Sequence, residues 1–243
     1  MKHLSLLTIG LALTFVTECY STSVKDSKFF VQTDQTIKEN VAPRNFQEPT
    51  SLVLNAHAHN DYLHPNPLFD ALAQGFGSVE ADIFYIRDTL LVAHEITKVS
   101  PERTLEGLYL KPLSDRVKKW GAVYRNMAKD RPFVLLIDVK HRPLDSYKAL
   151  DKLLQKYQHM LTRFEGDKVE QNSITVVLTG AHDNAYIAKL SQRFVTIDAT
   201  FQDTKSPSIP AKPPLFGWLS DDWSKYFTWT GKTSFSPKDI KKL

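Results

Sequence analysis

Two pairs of charged residues stand in strongly apolar surroundings, and the members of each pair are separated by one residue. Glu80 and Asp82 lie in the run SVEADIF, and Asp138 and Lys140 lie in VLLIDVK. In a β-strand this spacing places both members of a pair on one face of the sheet. Because burial of an unpaired charge is strongly unfavourable, each of these groups needs a partner. Salt bridges could supply it, and so could a divalent cation held by the three carboxylates, for which hard oxygen ligands favour Mg²⁺ or Ca²⁺ over zinc.

Histidines follow two of the apolar runs. His57 opens the motif HAHNDY at residues 57–62, and His94 comes directly after the run LLVA. A pKa near neutrality suits a histidine to proton transfer, so His57 and His94 are the candidate acid and base. His59 and Asn60 are candidates for binding the substrate, although an asparagine at this position could also cap the following turn.

From residue 51 onward, short apolar runs alternate with helical stretches, which is typical of β/α units around a parallel sheet. The strand candidates are residues 51–56, 79–85, 90–94, 133–139, 174–179, 194–198 and 215–219. The helical candidates are residues 65–74, 104–120, 144–157 and 184–192. The polar groups described above stand at the carboxyl ends of strands, where (β/α) barrels build their active sites. A doubly wound sheet that binds a nucleotide is disfavoured, because no glycine-rich phosphate fingerprint follows the first strand.

The fold class that we expect is therefore α/β, with the architecture of a (β/α) TIM-type barrel. Roughly 190 residues follow residue 50, whereas a complete eight-stranded barrel typically needs about 250. We accordingly expect the barrel domain, residues 51–243, to lack its last strands.

The N-terminal sequence predicts export. Residues 1–21 combine a short basic start with a charge-free apolar run, LSLLTIGLALTFV, which is typical of a signal peptide and too short for a membrane-spanning helix of about 20 residues. Residues 22–50 are polar and without periodicity, so they are interpreted as a spacer. The residues before Cys19 loosely resemble a lipoprotein box, so we expect a secreted or periplasmic protein, or alternatively a lipoprotein that contacts the membrane through a lipid on Cys19.

Composition excludes several classes of partner and site. The chain has 31 Lys and Arg against 27 Asp and Glu, a net charge of +4, which is too small for the basic surface of a nucleic-acid-binding protein. Such a charge is compatible with an anionic substrate. Since Cys19 is the one cysteine, intrachain disulfides and cysteine-based zinc sites are excluded.

The runs AHAHNDY, SVEADIF, LLVAHE and LLIDVK together resemble the phosphatidylinositol-phospholipase-C-like phosphodiesterase superfamily, which includes the glycerophosphodiester phosphodiesterases. The nearest branch is that of altered inheritance of mitochondria protein six, whose HxHNDY and EAD motifs match residues 57–62 and 80–82. With the motifs RTLEGLYLKPL and LSDDW, the resemblance extends from about residue 52 to the C-terminus. It implies a TIM barrel and metal-dependent hydrolysis of glycerophosphodiesters or phospholipid head groups.

The resemblance also implies roles for individual residues. His57 and His94 match the acid and base of the family, and Lys140 matches the lysine that follows its third carboxylate. The metal carboxylates of the family are matched by Glu80, Asp82 and Asp138. His59 has no counterpart in the common glycerophosphodiesterase pattern. Attack by water and attack by a neighbouring substrate hydroxyl, which would form a cyclic phosphate first, are both compatible with these residues.

Two other functions are compatible with the same residues. His57 and His59 match the first motif of amidohydrolase-like zinc hydrolases, for which His182 is a candidate further ligand, but that function leaves the carboxylate pairs unexplained. The second alternative is a surface protein, or a decayed relative of the family, that binds a phospho-ligand without turnover.

Overall fold

The computed structural model describes residues 40–128, 130–205 and 215–234. The predicted signal peptide, Cys19 and the first part of the spacer lie outside the described residues, as do the proline-rich stretch 206–214 and the last nine residues. Within the described part, no helix is long and apolar enough to cross a membrane. The end of the predicted spacer is attached to the domain: the side-chain amide of Asn40 donates to the carbonyl oxygen of Pro67, and the ring of Phe46 packs edge-on against Phe69.

A curled parallel sheet forms the centre of the fold. The strands are β1 Val53–Ala58, β2 Phe76–Ile86, β3 Thr89–Val92, β4 Phe133–Val139, β5 Arg163–Glu165, β6 Lys168–Glu170, β7 Ile174–Gly180, β8 Gln192–Arg193, β9 Val195–Ala199 and β10 Phe216–Leu219. The α-helices are α1 Phe69–Ala73, α2 Lys111–Trp120, α3 Pro143–Gln155 and α4 Asn184–Ala188. The parallel strands lie in the order β1-β2-β4-β7-β9-β10, and β3 pairs with β2 in antiparallel orientation.

The order of the strands distinguishes the two architectures that parallel sheets adopt. A doubly wound sheet reverses its strand order, whereas these strands follow the chain without reversal, as in the wall of a barrel. The sheet curls far enough for the ring of His57 on β1 to contact that of Trp218 on β10, with 5.9 Å between centroids. Within the described residues no ladder joins β1 to β10, so the sheet forms a half-barrel. The predicted α/β class is confirmed.

The two faces of the sheet have different chemistry because side chains alternate along each strand. On one face, residues such as Val79, Ile83 and Leu135 pack with the helices into the apolar core. Helix α3 contributes Leu150 and Leu154, which are both fully buried. The opposite face carries the charged members of β2 and β4, so the concave side of the half-barrel is where the polar groups meet.

The pairing of β1 with β2 is irregular, and this irregularity sets the direction of the end of β1. Val53 pairs with Phe76 and His57 pairs with Ser78, so an advance of four residues along β1 corresponds to an advance of two residues along β2. Gly77 permits this close approach, because a Cβ atom there would lie 2.0 Å from the carbonyl oxygen of Leu54. Bulges of this kind redirect side chains next to active sites.

Three local features differ from the sequence predictions. The run at 90–94 is not a barrel strand: β3 returns along β2 as a hairpin. The helical stretch 104–120 is a π-helical turn, Glu106–Leu110, followed by α2, which carries Pro112 in its first turn, where a proline needs no N–H partner. The sheet β6-β5-β8 was not predicted, because strands of two or three residues carry no measurable periodicity.

Candidate functional site

The three carboxylates converge where β2 and β4 run side by side. Asp82 is directly opposite Asp138 in the parallel ladder, and Glu80 precedes Asp82 by two residues on the same face. Each residue offers one carboxylate oxygen, and these oxygens all lie within 4.8 Å of one another. Glu80 and Asp82 are buried and Asp138 is partly exposed. Burial raises the pKa of Glu80, while the backbone N–H of Asn60, which donates to its Oε2 at 2.9 Å, acts in the opposite direction.

Lys140 binds two of these carboxylates. Its Nζ lies 2.8 Å from Oδ2 of Asp82 and 2.7 Å from Oδ2 of Asp138. Burial alone would lower the pKa of Lys140, but the hydrogen bonds to Asp138 and Asp82 more than offset this, and its pKa is raised. Lys140 therefore carries a positive charge, and three carboxylates beside this single ammonium form an acidic cluster that suits a divalent cation.

The hairpin β2-β3 brings His94 to the carboxylates. The backbone N–H of Ala93 donates to the carbonyl oxygen of Asp82 at 3.2 Å, which fixes the return of the chain. As a result, Nδ1 of His94 lies 3.1 Å from Oδ2 of Asp82 and 3.1 Å from the hydroxyl of Tyr62. These contacts occupy Nδ1 and leave Nε2 as the nitrogen that can exchange a proton with a substrate.

Tyr62 belongs to this site, although it was not among the predicted site residues. Its hydroxyl lies 2.6 Å from Oδ2 of Asp82 and 2.8 Å from Oδ1 of Asn60, and its one proton can be donated to either. Burial and the hydrogen bond to Asp82 raise the pKa of Tyr62, so the phenol stays protonated. Its place in the motif HNDY is the sequence signal that could have identified it.

His59 and Asn60 lie at the rim. The side chain of His59 is 75% exposed, and its Nε2 lies 3.4 Å from Oε2 of Glu80. Asn60 has a φ of 51°, a left-handed conformation that asparagine tolerates well, and this turn aims its backbone N–H at Glu80. Asn60 stands at the N-cap position of the turn Asp61–Leu63, but its side chain makes no capping hydrogen bond with that turn, and its Oδ1 accepts instead from the hydroxyl of Tyr62.

His57 lies on the other wall of the concave face, at the end of β1. Its Nδ1 is 2.9 Å from Oγ of Ser78, and its ring packs against Trp218. Burial is the main cause that lowers the pKa of His57, with a further contribution from the charge of His59, whereas Asp198 raises it. Ser78 and Asp198 were not predicted as site residues, yet Ser78 precedes Glu80 by two residues, so the strand period places it on the same face.

The donor set fits a hard divalent cation. All contacts described above reach Asp82 through Oδ2, while its Oδ1 is buried and has no hydrogen-bond partner within the described residues. A cation is a natural partner for such an oxygen, and three carboxylates are ligands that Mg²⁺ and Ca²⁺ prefer. The zinc alternative gains no support, because the set of potential metal ligands found among the described residues consists of three carboxylates and includes no histidine. Nδ1 of His182 is buried without a hydrogen-bond partner in that part of the chain.

Comparison with known proteins finds relatives that are named altered inheritance of mitochondria protein 6, the branch that the sequence motifs resemble. The chain is 29% identical to the altered inheritance of mitochondria protein 6 homolog of Arthroderma benhamiae, and the match covers 60% of this chain and 53% of that protein. It is 33% identical to altered inheritance of mitochondria protein 6 of Lachancea thermotolerans, covering 61% of this chain and 41% of the relative. For the Saccharomyces cerevisiae protein the values are 31%, 59% and 44%. The chain thus spans about half or less of the length of these relatives.

No solved structure matches the chain. The family model of the AIM6-like phosphodiesterase domain matches residues 49–198, which is more than half of the chain. The matched region contains every predicted site residue, from His57 to Lys140. The resemblance is therefore confirmed, and the chain belongs to the AIM6-like phosphodiesterase domain family.

Proposed function

We propose that this protein is a metal-dependent phosphodiester hydrolase that acts on glycerophosphodiesters or phospholipid head groups by histidine acid-base catalysis. The observation that carries the proposal is the meeting of three carboxylates, Lys140 and His94 on the concave face of one sheet, with His57 on the opposite wall of that face beside Ser78. The family match supports a phosphodiesterase-like chemistry. Metal dependence, catalysis and the class of substrate belong to the proposal.

The carboxylates Glu80, Asp82 and Asp138 are the residues that would hold Mg²⁺ or Ca²⁺. When bound, such an ion supplies positive charge that stabilises the charge developing on a phosphoryl oxygen. The ammonium of Lys140 is placed to bind a second anionic oxygen of the same phosphate. Because it is always charged in this setting, it orients the diester electrostatically whatever alcohols are attached to it.

Each of the two histidines carries out one of the two proton transfers of the reaction. Nε2 of one accepts the proton of the attacking water or substrate hydroxyl, and Nε2 of the other donates a proton to the oxygen of the leaving alcohol. The contacts at Nδ1, with Ser78 for His57 and with Asp82 and Tyr62 for His94, orient both rings for this use of Nε2. His59 and Asn60, at the rim, are proposed to contact the substrate.

The finer architecture and the location are proposals as well. The unreversed strand order and the curl of the sheet favour part of a TIM-type barrel. The apolar N-terminal run favours export, with membrane contact through a lipid substrate or a lipid on Cys19. The modest net charge disfavours nucleic acid as a partner.

The test is hydrolysis of glycerophosphodiesters by the full chain after removal of metal with EDTA and readdition of Mg²⁺, Ca²⁺ or Zn²⁺. We expect Mg²⁺ or Ca²⁺ to restore turnover and to raise the melting temperature, and Asp82→Asn to abolish both effects. Asp115→Asn, which removes an exposed carboxylate of α2, is the matched control and should behave as wild type. Restoration by Zn²⁺ alone would support the zinc hydrolase, and binding of phosphate esters without turnover would support the non-catalytic alternative.

A further inference from the structure

A buried serine contacts the imidazole of His57. Ser78 lies on β2 beside His57 in the β1-β2 ladder and is 4% exposed. Its Oγ is 2.9 Å from Nδ1 of His57 and 3.3 Å from the carbonyl oxygen of Ala56, the residue just before His57. Ala56 lies in the irregular stretch of β1 between the paired positions Val53 and His57.

The proton count of this contact selects one tautomer of the histidine. A serine hydroxyl has one proton to donate and two lone pairs that accept. When both contacts are hydrogen bonds, the Ala56 carbonyl, which can only accept, takes the hydroxyl proton. The lone pairs of Oγ then face Nδ1 of His57, and this contact is a hydrogen bond only if Nδ1 carries the imidazole proton.

We propose that Ser78 is a positioning residue that holds neutral His57 in the tautomer protonated at Nδ1, so that the lone pair at Nε2 faces the reacting groups. The catalytic consequence rests on the proposed function, in which Nε2 of His57 exchanges the proton. In the other tautomer Nε2 already carries a proton and cannot accept one from a nucleophile. Trp218, packed against the ring, restricts the rotation by which the imidazole could exchange its two nitrogens.

The direct test is the state of the ring nitrogens, measured by NMR on the full chain with ¹⁵N-labelled histidine at alkaline pH. A protonated ring nitrogen resonates far upfield of an unprotonated one, so the two tautomers are distinguished without any activity assay. The His57 signals are assigned by their loss in His57→Gln. We expect wild type to show protonated Nδ1 and unprotonated Nε2, Ser78→Ala to shift the signals toward the opposite tautomer, and Ser78→Thr, which keeps a hydroxyl, to retain the wild-type pattern.

A matched control is present in the same chain. Ser114 on α2 is also buried, and its Oγ lies 3.1 Å from Nε2 of His159, outside the candidate site. Ser114→Ala therefore removes a comparable serine-histidine hydrogen bond and should leave the His57 signals unchanged. This comparison separates a specific effect on His57 from a general loss of packing.

We expect the substitution to change kcat and not KM, because Ser78 is 4% exposed and is proposed to act through the imidazole of His57. Loss of one hydrogen bond shifts a tautomer equilibrium by roughly five- to tenfold, and this factor is the upper limit for the fall in the population of the reactive tautomer. We therefore expect Ser78→Ala to lower kcat by no more than that factor and Ser78→Thr to restore it.

Two results would overturn the inference. One is a wild-type spectrum with the proton at Nε2, and the other is a Ser78→Ala spectrum identical to that of wild type. If Ser78→Ala fails to fold, the wild-type spectrum still shows which ring nitrogen of His57 carries the proton and so tests the inference. A chain with the expected tautomer but no turnover of any phosphodiester would refute the proposed function and leave the tautomer assignment intact.

Discussion

Substitution of Gly180 by alanine tests whether Asp138 is held in place for a cation. Gly180 ends β7, next to Asp138, and has a φ of 73°. A Cβ atom at this position would lie 2.0 Å from Oδ1 of Asp138 and 2.8 Å from the carbonyl oxygen of Val139. Because such contacts do not occur below 3.0 Å, the carboxylate of Asp138 must move by about 1 Å.

The size of the expected fall in ion affinity follows from how little a metal ligand can move before it no longer coordinates the ion. Ligand distances in such sites hold to within about 0.2 Å, so a displacement of about 1 Å removes Asp138 from the coordination shell. We expect affinity for Mg²⁺ or Ca²⁺ to fall at least as much as for a lost supporting contact, about 10- to 100-fold. At saturating ion this lowers the stabilisation by the ion by about 1.4 to 2.7 kcal/mol, or several degrees of melting temperature.

Gly121→Ala separates this effect from backbone strain. Gly121 has nearly the same φ, 74°, but nothing lies within 4 Å of the position of its Cβ. In the absence of ion, both variants should lose about 1 kcal/mol of stability from the left-handed conformation. Gly180→Ala should lose more than Gly121→Ala, because its Cβ atom also lies 2.8 Å from the carbonyl oxygen of Val139. Thermal melts across an ion titration provide the measurement, with Gly121→Ala keeping the full rise. Equal rises in both variants and wild type would show that Asp138 does not ligate the ion, and no rise in wild type would refute the metal site itself.

Three further predictions concern the two histidines and the buried hydrogen bond between Tyr109 and Asp61. Single substitutions His57→Ala and His94→Ala should lower kcat by about 10²- to 10⁴-fold while the ion-induced rise in melting temperature persists, and near-normal turnover in either would remove that residue from the mechanism. Since the negative charge of Asp198 raises the pKa of His57, Asp198→Asn should lower that pKa and move the acid limb of the pH-rate profile to lower pH; an NMR titration of His57 measures this, and a rise in the pKa would contradict it. The buried hydroxyl of Tyr109 donates to Oδ2 of Asp61 at 2.8 Å, so Tyr109→Phe should cost about 1.5 to 3 kcal/mol by denaturant unfolding, and an unchanged midpoint would show that this bond contributes nothing.

Strand positions were predictable where the pattern is local. The predicted strand 133–139 coincides with β4, because six of its seven residues are apolar and such a run needs no distant partner to be recognised. The two-residue spacing correctly placed Glu80 and Asp82 on one face of β2. Element ends were less accurate: β1 begins and ends two residues later than predicted, since its register is set by the bulge against β2 and by Gly77.

The sequence by itself determined which residue types are available for chemistry, the α/β class, and the faces on which the carboxylates of β2 and β4 lie, because strand periodicity is a property of the local chain. Only the tertiary structure decided which of these side chains contact one another. The return of the β2-β3 hairpin carries His94 to Asp82, and the curl of the sheet brings Trp218 of β10 to His57 of β1. Such contacts join residues far apart in the chain, so they depend on sheet curvature and register, which no short segment of sequence encodes.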